Sequence, residues 1–194
     1  MSDTRSALRQ QLLSARQTWS ATPAAAQAQA DLHAQVLRVL TELEPQCLGL
    51  YWPIRGEFNP RDVALTFQAS LGGPSALSLA LPWATKARDG QAASMGYRVW
   101  DGSEPTTRDE CGIPCPEGPP ADPDVVLVPC VGFTPEGYRL GYGAGYFDRY
   151  MAAHPHITAV GLAWAEAQLP PGSFSPAPHD QALMLIVTPA GVMG

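Results

Sequence analysis

The sequence predicts one α/β domain over residues 1–194, built on a mainly parallel sheet flanked by helices. Three observations support this fold class. Short apolar runs bounded by turn residues recur from Cys47 onward. Several of them are apolar on both faces, which is typical of parallel strands buried between helices. Helix-like segments separate some of these runs. A Rossmann-like three-layer sandwich accounts for all three observations.

The segment before Cys47 predicts two helices. The first covers about residues 4–17, because Asp3 and Thr4 are suited to capping and apolar residues then recur at the helical period. A different face of this helix carries its basic residues, which are Arg5, Arg9 and Arg16. The second helix begins at the cap and first-turn pair Thr22–Pro23 and ends at Pro45.

Six later runs are predicted strands, since each is short and lies between turn formers. Two segments with a helical pattern, Arg61–Ser70 and Phe147–Ala153, separate some of them. Two proline-dense segments, 113–123 and 169–178, are predicted surface loops. The six predicted strands are CLGLYWP, ALSLALP, MGYRVW, DVVLVPC, ITAVGLAW and LMLIVT.

Composition and charge argue against several classes of protein. The net charge is -6 and the pI is about 5.1, whereas a general nucleic-acid or anionic-membrane binder needs a basic surface. We find no signal-peptide pattern and no apolar run near the ~18–20 residues that cross a bilayer. We therefore expect a cytoplasmic protein without nucleic-acid or membrane partners, and we take it to be a monomer. Four scattered cysteines are expected to be reduced, non-catalytic thiols.

The segment Arg139–Tyr150, RLGYGAGYFDRY, places glycine at every second position between an arginine and an aspartate. It follows the predicted strand DVVLVPC and a turn at 134–137, and a helix is predicted to open near Tyr146. Glycine lets backbone N–H groups approach an anion, the helix N-terminus adds positive potential, and Arg139 supplies a bidentate donor. The segment therefore predicts a phosphate site.

These patterns alone leave ordinary explanations open. The glycines fit neither G-x-G-x-x-G nor the P-loop pattern. They are also suited to a tight loop in which Asp148 and Arg149 pair on a solvated helix face. The other candidate residues also fit a solvated face, a loop edge or a turn, and they are Arg5, Arg9, Glu57 and Asp180.

The segment RLGYGAGYFDR resembles the R-L-G-x-G-x-G-Y-Y-D-R signature of the 5-formyltetrahydrofolate cyclo-ligases, also called 5,10-methenyltetrahydrofolate synthetases. The resemblance extends over nearly the whole chain. Further motifs occur in family order: R-x-x-L-R at Arg5–Arg9, Gly56–Glu57, Leu81–Pro82, GIPCP, DVVLVPCVGF and Pro178–Asp180. The resemblance implies an enzyme that uses ATP and magnesium to convert 5-formyltetrahydrofolate to 5,10-methenyltetrahydrofolate, ADP and phosphate.

The resemblance also implies a role for each candidate residue. The ATP phosphates would be held by Arg5, Arg9, Arg139, Gly141, Gly143, Gly145 and Tyr146, with the first helix closing over them. The implied magnesium ligands are Asp148 and Asp180, since magnesium prefers carboxylate oxygens. Glu57 is the implied folate contact. The implied catalytic residues are Arg139, Tyr146 and Asp148, and catalysis would begin by phosphorylating the formyl oxygen.

Four residues depart from the family pattern. Arg5 replaces the usual lysine, which keeps the charge but changes its geometry. Phe147 replaces a tyrosine of the signature and so lacks a hydroxyl. Cys111 and Met184 stand where relatives have an aromatic and an acidic residue, and they are expected to loosen the substrate pocket. The alternative function is therefore a folate- or nucleotide-binding protein with weakened catalysis. An NAD-type module ranks last, because its glycine motif is missing.

Overall fold

The structure, a computed structural model, describes the backbone of residues 2–194 and the side chains of residues 4–194. The helices of this part are α1 (Ser2–Ser20), α2 (Pro23–Leu43), α3 (Pro60–Ser70) and α4 (Tyr146–Ala153), and a 3-10 turn spans Ala165–Ala167. The strands are β1 (Cys47–Gly49), β2 (Ser78–Thr85), β3 (Ser94–Val99), β4 (Thr107–Arg108), β5 (Pro114–Cys115), β6 (Pro120–Ala121), β7 (Val125–Pro129), β8 (Gly132–Phe133), β9 (Arg139–Leu140), β10 (Thr158–Leu162), β11 (Leu185–Thr188) and β12 (Gly191–Met193).

Eight of these strands form one sheet in the order β12-β11-β10-β7-β1-β2-β3-β6. The five strands from β11 to β2 pair in parallel. Both edges are antiparallel, through β12 on one side and through β3 and β6 on the other. The prediction of a mainly parallel sheet is therefore confirmed.

The spatial order of the parallel strands reverses between β1 and β7. From β1 the chain crosses through α3 to β2 on one side, and from β7 it crosses through α4 to β10 on the other. The loops that leave the carboxyl ends of these two strands therefore diverge and open a crevice. Ligands of doubly wound α/β folds bind in this crevice.

Helices cover both faces of the sheet. On one face, α2 and α3 pack against strand residues that include Leu127, while on the other α4 packs against Val126 and Val128. Successive residues of a strand point to opposite faces. This alternation between two apolar layers explains why β7 is buried along its whole length. The prediction of an α/β fold with helices on the sheet is confirmed.

The ends of the first two helices differ in detail from the bounds and caps that the sequence predicts. The helix α1 begins at Ser2, so Thr4 lies inside it, and the proposed Asp3 cap lies outside the described side chains. The helix α2 starts at Pro23 as predicted, but Thr22 makes no side-chain cap. Its hydroxyl donates instead to the carbonyl of Trp19 at 2.7 Å. Thr22 therefore stabilises the end of α1.

Six short strands have no counterpart in the sequence predictions. Two of them, β5 and β6, lie in the proline-dense segment 113–123, which was expected to be a loop, and β8 and β9 form a hairpin around the turn at 134–137. The remaining two are β4 and β12. Runs of two or three residues are too short to show an alternating pattern, and proline confines pairing to strand edges.

Two findings concern the expectations about membrane association and about the cysteines. Among the described residues, no helix combines the length and apolar character needed to cross a membrane. All four cysteines are free, and Cys115 and Cys130 are buried. Burial raises the pKa of Cys130 to about 12, so this thiol is a poor nucleophile at neutral pH.

Leu127 provides a test of the core, because it is fully buried in the middle of β7. We expect Leu127→Ala to lower the free energy of unfolding by about 2–5 kcal/mol, since it removes buried methyl groups and leaves a cavity. Urea denaturation followed by circular dichroism measures this change. The matched control is Leu71→Ala, because Leu71 is 45% exposed. Equal losses in the two variants would contradict the described packing of β7.

Candidate functional site

A cavity of about 390 Å³ is the candidate functional site. Its wall includes residues of α1, of the loop after β1, of the segment after β9 and of the first turn of α4. The structure brings together in this wall every candidate residue that the sequence indicates: Arg5, Arg9, Glu57, Arg139, Gly141, Gly143, Gly145, Tyr146, Asp148 and Asp180. The wall also includes Tyr51, which follows β1, and Pro129, which ends β7, so the cavity lies at the crevice created by the reversed strand order.

The glycine loop, residues 141–145, connects β9 to α4. The Arg9 Nε donates to the Gly141 carbonyl at 2.7 Å, which binds α1 to this loop. Gly143 has a φ of +96°, and a Cβ there would lie 3.2 Å from the guanidinium carbon of Arg9. Glycine alone adopts this left-handed conformation readily and leaves room for the arginine. The basic face of α1 therefore lies directly against the loop.

The glycine loop ends at the N-terminus of α4. Gly145 is the N-cap residue with a φ of +66°, and the helix begins at Tyr146 as predicted. The first N–H groups of a helix have no intrahelical partner and carry a positive partial charge. The residues of this first turn, Tyr146 to Asp148, line the cavity. This arrangement is suited to binding an anion such as a phosphate group.

Arg139 and Asp148 form a largely buried ion pair. The Arg139 Nη1 lies 3.0 Å from Asp148 Oδ1, and the backbone N–H of Gln181 donates to the same oxygen at 3.1 Å. The alternative pairing of Asp148 with Arg149 is not observed, because the Arg149 Nε donates to the Ala93 carbonyl at 2.9 Å. The ion pair therefore joins the two ends of the glycine loop.

A second ion pair joins α1 to Asp180, just after the proline-dense segment 169–178. Arg5 binds the Asp180 carboxylate and donates to the Ser175 carbonyl at 2.9 Å. Burial opposes ionisation of Asp180, but the hydrogen bonds from Arg5 and from the Ala177 N–H outweigh burial and hold its pKa below the ordinary value. Arg5 therefore keeps Asp180 charged.

Asp148 and Asp180 are suited to hold a magnesium ion. Both line the cavity, and one oxygen of each carboxylate binds an arginine, which leaves a second oxygen on each. The described residues contain no cluster of three or more His, Cys, Asp or Glu side chains that could hold a metal. Magnesium commonly takes one or two carboxylates and completes its octahedron with water and substrate phosphates. Two carboxylates in one wall therefore fit this ion.

Glu57 lies in the same wall with its side chain only 3% exposed. Its Oε2 accepts a hydrogen bond from the Ile54 N–H at 2.8 Å, and its Oε1 accepts one from the Tyr142 hydroxyl at 2.7 Å. The Arg16 Nη1 lies 3.7 Å from Oε1. Burial raises the pKa of Glu57, and these three neighbours oppose that rise. The orientation of both carboxylate oxygens is therefore fixed.

Arg16 and Tyr142 both contact Glu57 but are not among the candidates that the sequence indicates. The Arg16 side chain is 5% exposed, whereas a basic residue on an amphipathic helix is expected to be solvated. One signal could have identified it: Arg16 follows Arg9 by seven residues, two helical turns, and so shares its face of α1. Tyr142 lies between two glycines, and nothing in that pattern indicates its partner.

Three of the residues that depart from the family pattern, Cys111, Phe147 and Met184, lie in different parts of the structure. The Tyr146 hydroxyl lies 3.2 Å from the Thr85 carbonyl and 3.2 Å from the sulfur of Cys111, which is in the cavity wall. Desolvation and the Cys111 contact raise the pKa of Tyr146 to about 12. Phe147 packs against both core layers. Met184 is 57% exposed and is not among the described residues of the cavity wall, so it does not loosen this pocket as expected.

Two curated proteins are similar to parts of this chain. A 5-formyltetrahydrofolate cyclo-ligase of Mycoplasma pneumoniae is 40% identical over 65 residues, which cover 33% of this chain and 38% of that protein. A probable 5-formyltetrahydrofolate cyclo-ligase of Schizosaccharomyces pombe is 29% identical over 114 residues, which cover 50% of this chain and 56% of that protein. The matches therefore span less than two thirds of either relative.

Two solved structures and a family model match far more of the chain. A 5,10-methenyltetrahydrofolate synthetase from Mycoplasma pneumoniae has a TM-score of 0.72 at 22% identity and covers 95% of this chain and 98% of its own. The NMR structure of the Aquifex aeolicus 5,10-methenyltetrahydrofolate synthetase has a TM-score of 0.68 at 25% identity, with coverages of 97% and 91%. The model of the 5-formyltetrahydrofolate cyclo-ligase family matches residues 1–189. The chain belongs to this family.

Proposed function

We propose that this protein uses ATP and magnesium to convert 5-formyltetrahydrofolate to 5,10-methenyltetrahydrofolate, with release of ADP and phosphate. The observation that carries the proposal is a single cavity in which a glycine loop and three arginines, Arg5, Arg9 and Arg139, share a wall with the buried carboxylate of Glu57. Family membership supports it as well. Both proposed substrates are small molecules.

The proposed reaction needs an activation step, because the formyl group is an amide and its carbon is a poor electrophile. Transfer of the γ-phosphoryl group to the formyl oxygen breaks the bond to ADP. The neighbouring folate nitrogen then attacks the activated carbon and loses its proton. The carbon–oxygen bond breaks, and phosphate leaves with the former formyl oxygen. Catalysis therefore depends mainly on positioning phosphates and neutralising their charge.

The glycine loop and the N-terminus of α4 are the proposed phosphate site. Arg139 lies beside this loop, and Arg5 and Arg9 reach the same cavity from α1. A guanidinium stays charged at any working pH and presents paired donors that match phosphate oxygens. In the proposed reaction these arginines orient the γ-phosphoryl group toward the formyl oxygen and neutralise the developing charge. Tyr146 is proposed to contact the nucleotide from the first turn of α4.

Asp148 and Asp180 would hold the magnesium ion. A bound magnesium supplies charge neutralisation for the phosphate oxygens. The chain prepares both carboxylates for this role, since Arg5 keeps Asp180 ionised and the Gln181 N–H fixes Asp148. A preorganised pair of carboxylates costs little reorganisation when the ligand arrives.

Glu57 is the proposed folate contact. Each of its oxygens accepts one hydrogen bond within the protein and retains capacity for another, which suits the N–H donors of a pterin ring. Trp52 and Ile54 line the same cavity and supply apolar surface for the ring. The site thus combines a polar anchor with apolar walls.

The absorbance of the methenyl product tests the proposal directly. The protein is mixed with 5-formyltetrahydrofolate, ATP and magnesium, and parallel reactions omit ATP or magnesium. We expect product only in the complete mixture. Binding of both ligands by calorimetry without any product would favour the alternative of a binding protein with weakened catalysis.

Arg139→Ala tests the phosphate site. We expect the dissociation constant for ATP to rise about tenfold or more, since a hydrogen bond to a charged group contributes about 1.5–3 kcal/mol. The affinity for 5-formyltetrahydrofolate should change little, and isothermal titration calorimetry measures both. Arg38→Ala is the matched control, because Arg38 is exposed on α2. Equal losses for the two ligands would refute the assignment of Arg139 to phosphate.

Asp148→Asn tests the magnesium site. The substitution keeps the shape of the side chain and removes its charge, so we expect magnesium-dependent turnover to be lost while the circular dichroism spectrum stays unchanged. Asp122→Asn is the control, because Asp122 is exposed and is not among the described residues of the cavity wall. A magnesium titration curve like that of the wild type would rule out Asp148 as a ligand.

Gly143→Ala tests the contact between α1 and the glycine loop. The new Cβ would press on Arg9, so we expect a weaker affinity for ATP in addition to a small loss of stability. Gly172→Ala is matched to it, because Gly172 also has a positive φ but its Cβ would meet nothing within 4 Å. Both variants should lose stability, and only Gly143→Ala should bind ATP less tightly. The same ATP affinity in both variants would contradict the expected role of Arg9.

A further inference from the structure

We propose that Arg16 is a positioning residue of the folate contact: its charge keeps the Glu57 carboxylate ionised, and its side chain does not touch the substrate itself. The inference rests on the proposed function, in which Glu57 binds the folate. Arg16 is a buried cation that is not part of the proposed phosphate site.

Arg16 is buried beside the Glu57 carboxylate. It lies on α1, and its side chain is almost completely buried, with Nη1 at 3.7 Å from Glu57 Oε1. Its Nη2 makes a long hydrogen bond of 3.4 Å to the Cys130 carbonyl, just after β7. A buried cation is retained only where an opposite charge compensates it. Glu57 is the carboxylate that does so.

Two hydrogen bonds hold the Glu57 carboxylate in place. Each of its two oxygens accepts one hydrogen bond: Oε2 from the Ile54 N–H and Oε1 from the Tyr142 hydroxyl. The distance of 3.7 Å from Arg16 is too long for a hydrogen bond, so Arg16 acts on Glu57 through charge. The lone pairs that remain on the carboxylate are therefore free for a substrate N–H.

Arg16 lies behind the cavity wall rather than in it. Among the described residues of the cavity wall, Glu57 and Tyr142 are present and Arg16 is not. The neighbouring Gly56 has a φ of +75°, and a Cβ there would lie 3.7 Å from the Arg16 Cδ and 3.1 Å from the Ser20 Oγ. The backbone that carries Glu57 therefore packs on α1 at Arg16, and Arg16 supports it from behind the wall.

The electrostatic surroundings give the direction of a pH effect. Burial raises the pKa of Glu57, whereas the Ile54 N–H, the Tyr142 hydroxyl, Arg16 and Arg55 all lower it. Tyr51 and Cys130 also face this carboxylate, and burial raises their own pKa values, so both are neutral at ordinary pH. Arg16 and Arg55 are thus the cations that favour the ionised form. Loss of Arg16 must raise the pKa of Glu57 further.

The consequence is a measurable pH profile. A protonated Glu57 has lost the charge that strengthens its hydrogen bond to the substrate, so affinity for folate falls as the pH is lowered. In Arg16→Met this fall should begin at a higher pH than in the wild type. At a pH where only the variant is protonated, its affinity for 5-formyltetrahydrofolate should be about tenfold weaker.

The experiment is a calorimetric titration of 5-formyltetrahydrofolate without ATP, repeated across the pH range for the wild type, Arg16→Met and Arg16→Lys. We expect Arg16→Lys to restore most of the wild-type profile, since lysine keeps the charge. Arg38→Met, on the exposed face of α2, should leave the profile unchanged. The affinity for ATP should be the same in all four proteins. An unshifted profile in Arg16→Met would overturn the inference.

A second comparison keeps the inference testable if Arg16→Met fails to fold. Glu57→Gln is compared with the double variant Glu57→Gln/Arg16→Met, which removes both charges together and so leaves no unpaired carboxylate. If Arg16 acts only through the charge of Glu57, the two proteins should bind 5-formyltetrahydrofolate equally, and a further loss in the double variant would refute this. Failure of the wild type to form the methenyl product would instead refute the proposed function.

Discussion

Buried charges that require partners hold the candidate site together. Two ion pairs meet this requirement in full, Arg139 with Asp148 and Arg16 with Glu57, and in a third pair the 27% exposed Arg5 binds the largely buried Asp180. Each joins two separate segments of the chain, and two of the three involve α1. Because an unpaired buried charge is costly, each arginine restricts where the opposite loop can lie. The shape of the cavity thus follows from charge pairing as much as from apolar packing.

The sheet decides where these pairs meet. The reversed strand order opens a crevice between the segments that follow β1 and β7, and α1 lies against the loops around it. The chain as a whole is acidic, with a net charge of -6. Arg5, Arg9, Arg55 and Arg139 nevertheless line this cavity, and Arg16 lies directly behind it. An acidic protein can therefore present a local site for phosphate without becoming a general binder of polyanions.

The sequence predicts the parts of the fold that local patterns determine. The runs of the central parallel strands are recognisable because β7 is buried along its whole length and β10 along nearly all of its length, and α4 opens at Tyr146 because glycine ends the preceding loop. The other strands, of two or three residues, are not predicted because pairing, rather than local preference, creates them. Arg16 was missed for a similar reason. Its burial depends on Glu57, a residue 41 positions further along the chain, and no helical pattern contains that information.

The arginines on the basic face of α1 also span a defined length of the helix. Arg5, Arg9 and Arg16 lie on one side of a single helix, and the span from Arg5 to Arg16 corresponds to about 16 Å at 1.5 Å per residue. A rigid rod of this length links the proposed phosphate site to the proposed folate contact. The angle of each arginine around the helix axis is as important as the distance between them, since inserting one residue would rotate Arg16 by roughly 100° relative to Arg9. Natural variation in this helix should therefore tolerate substitutions on its outer face far better than changes in the number of residues between these two arginines.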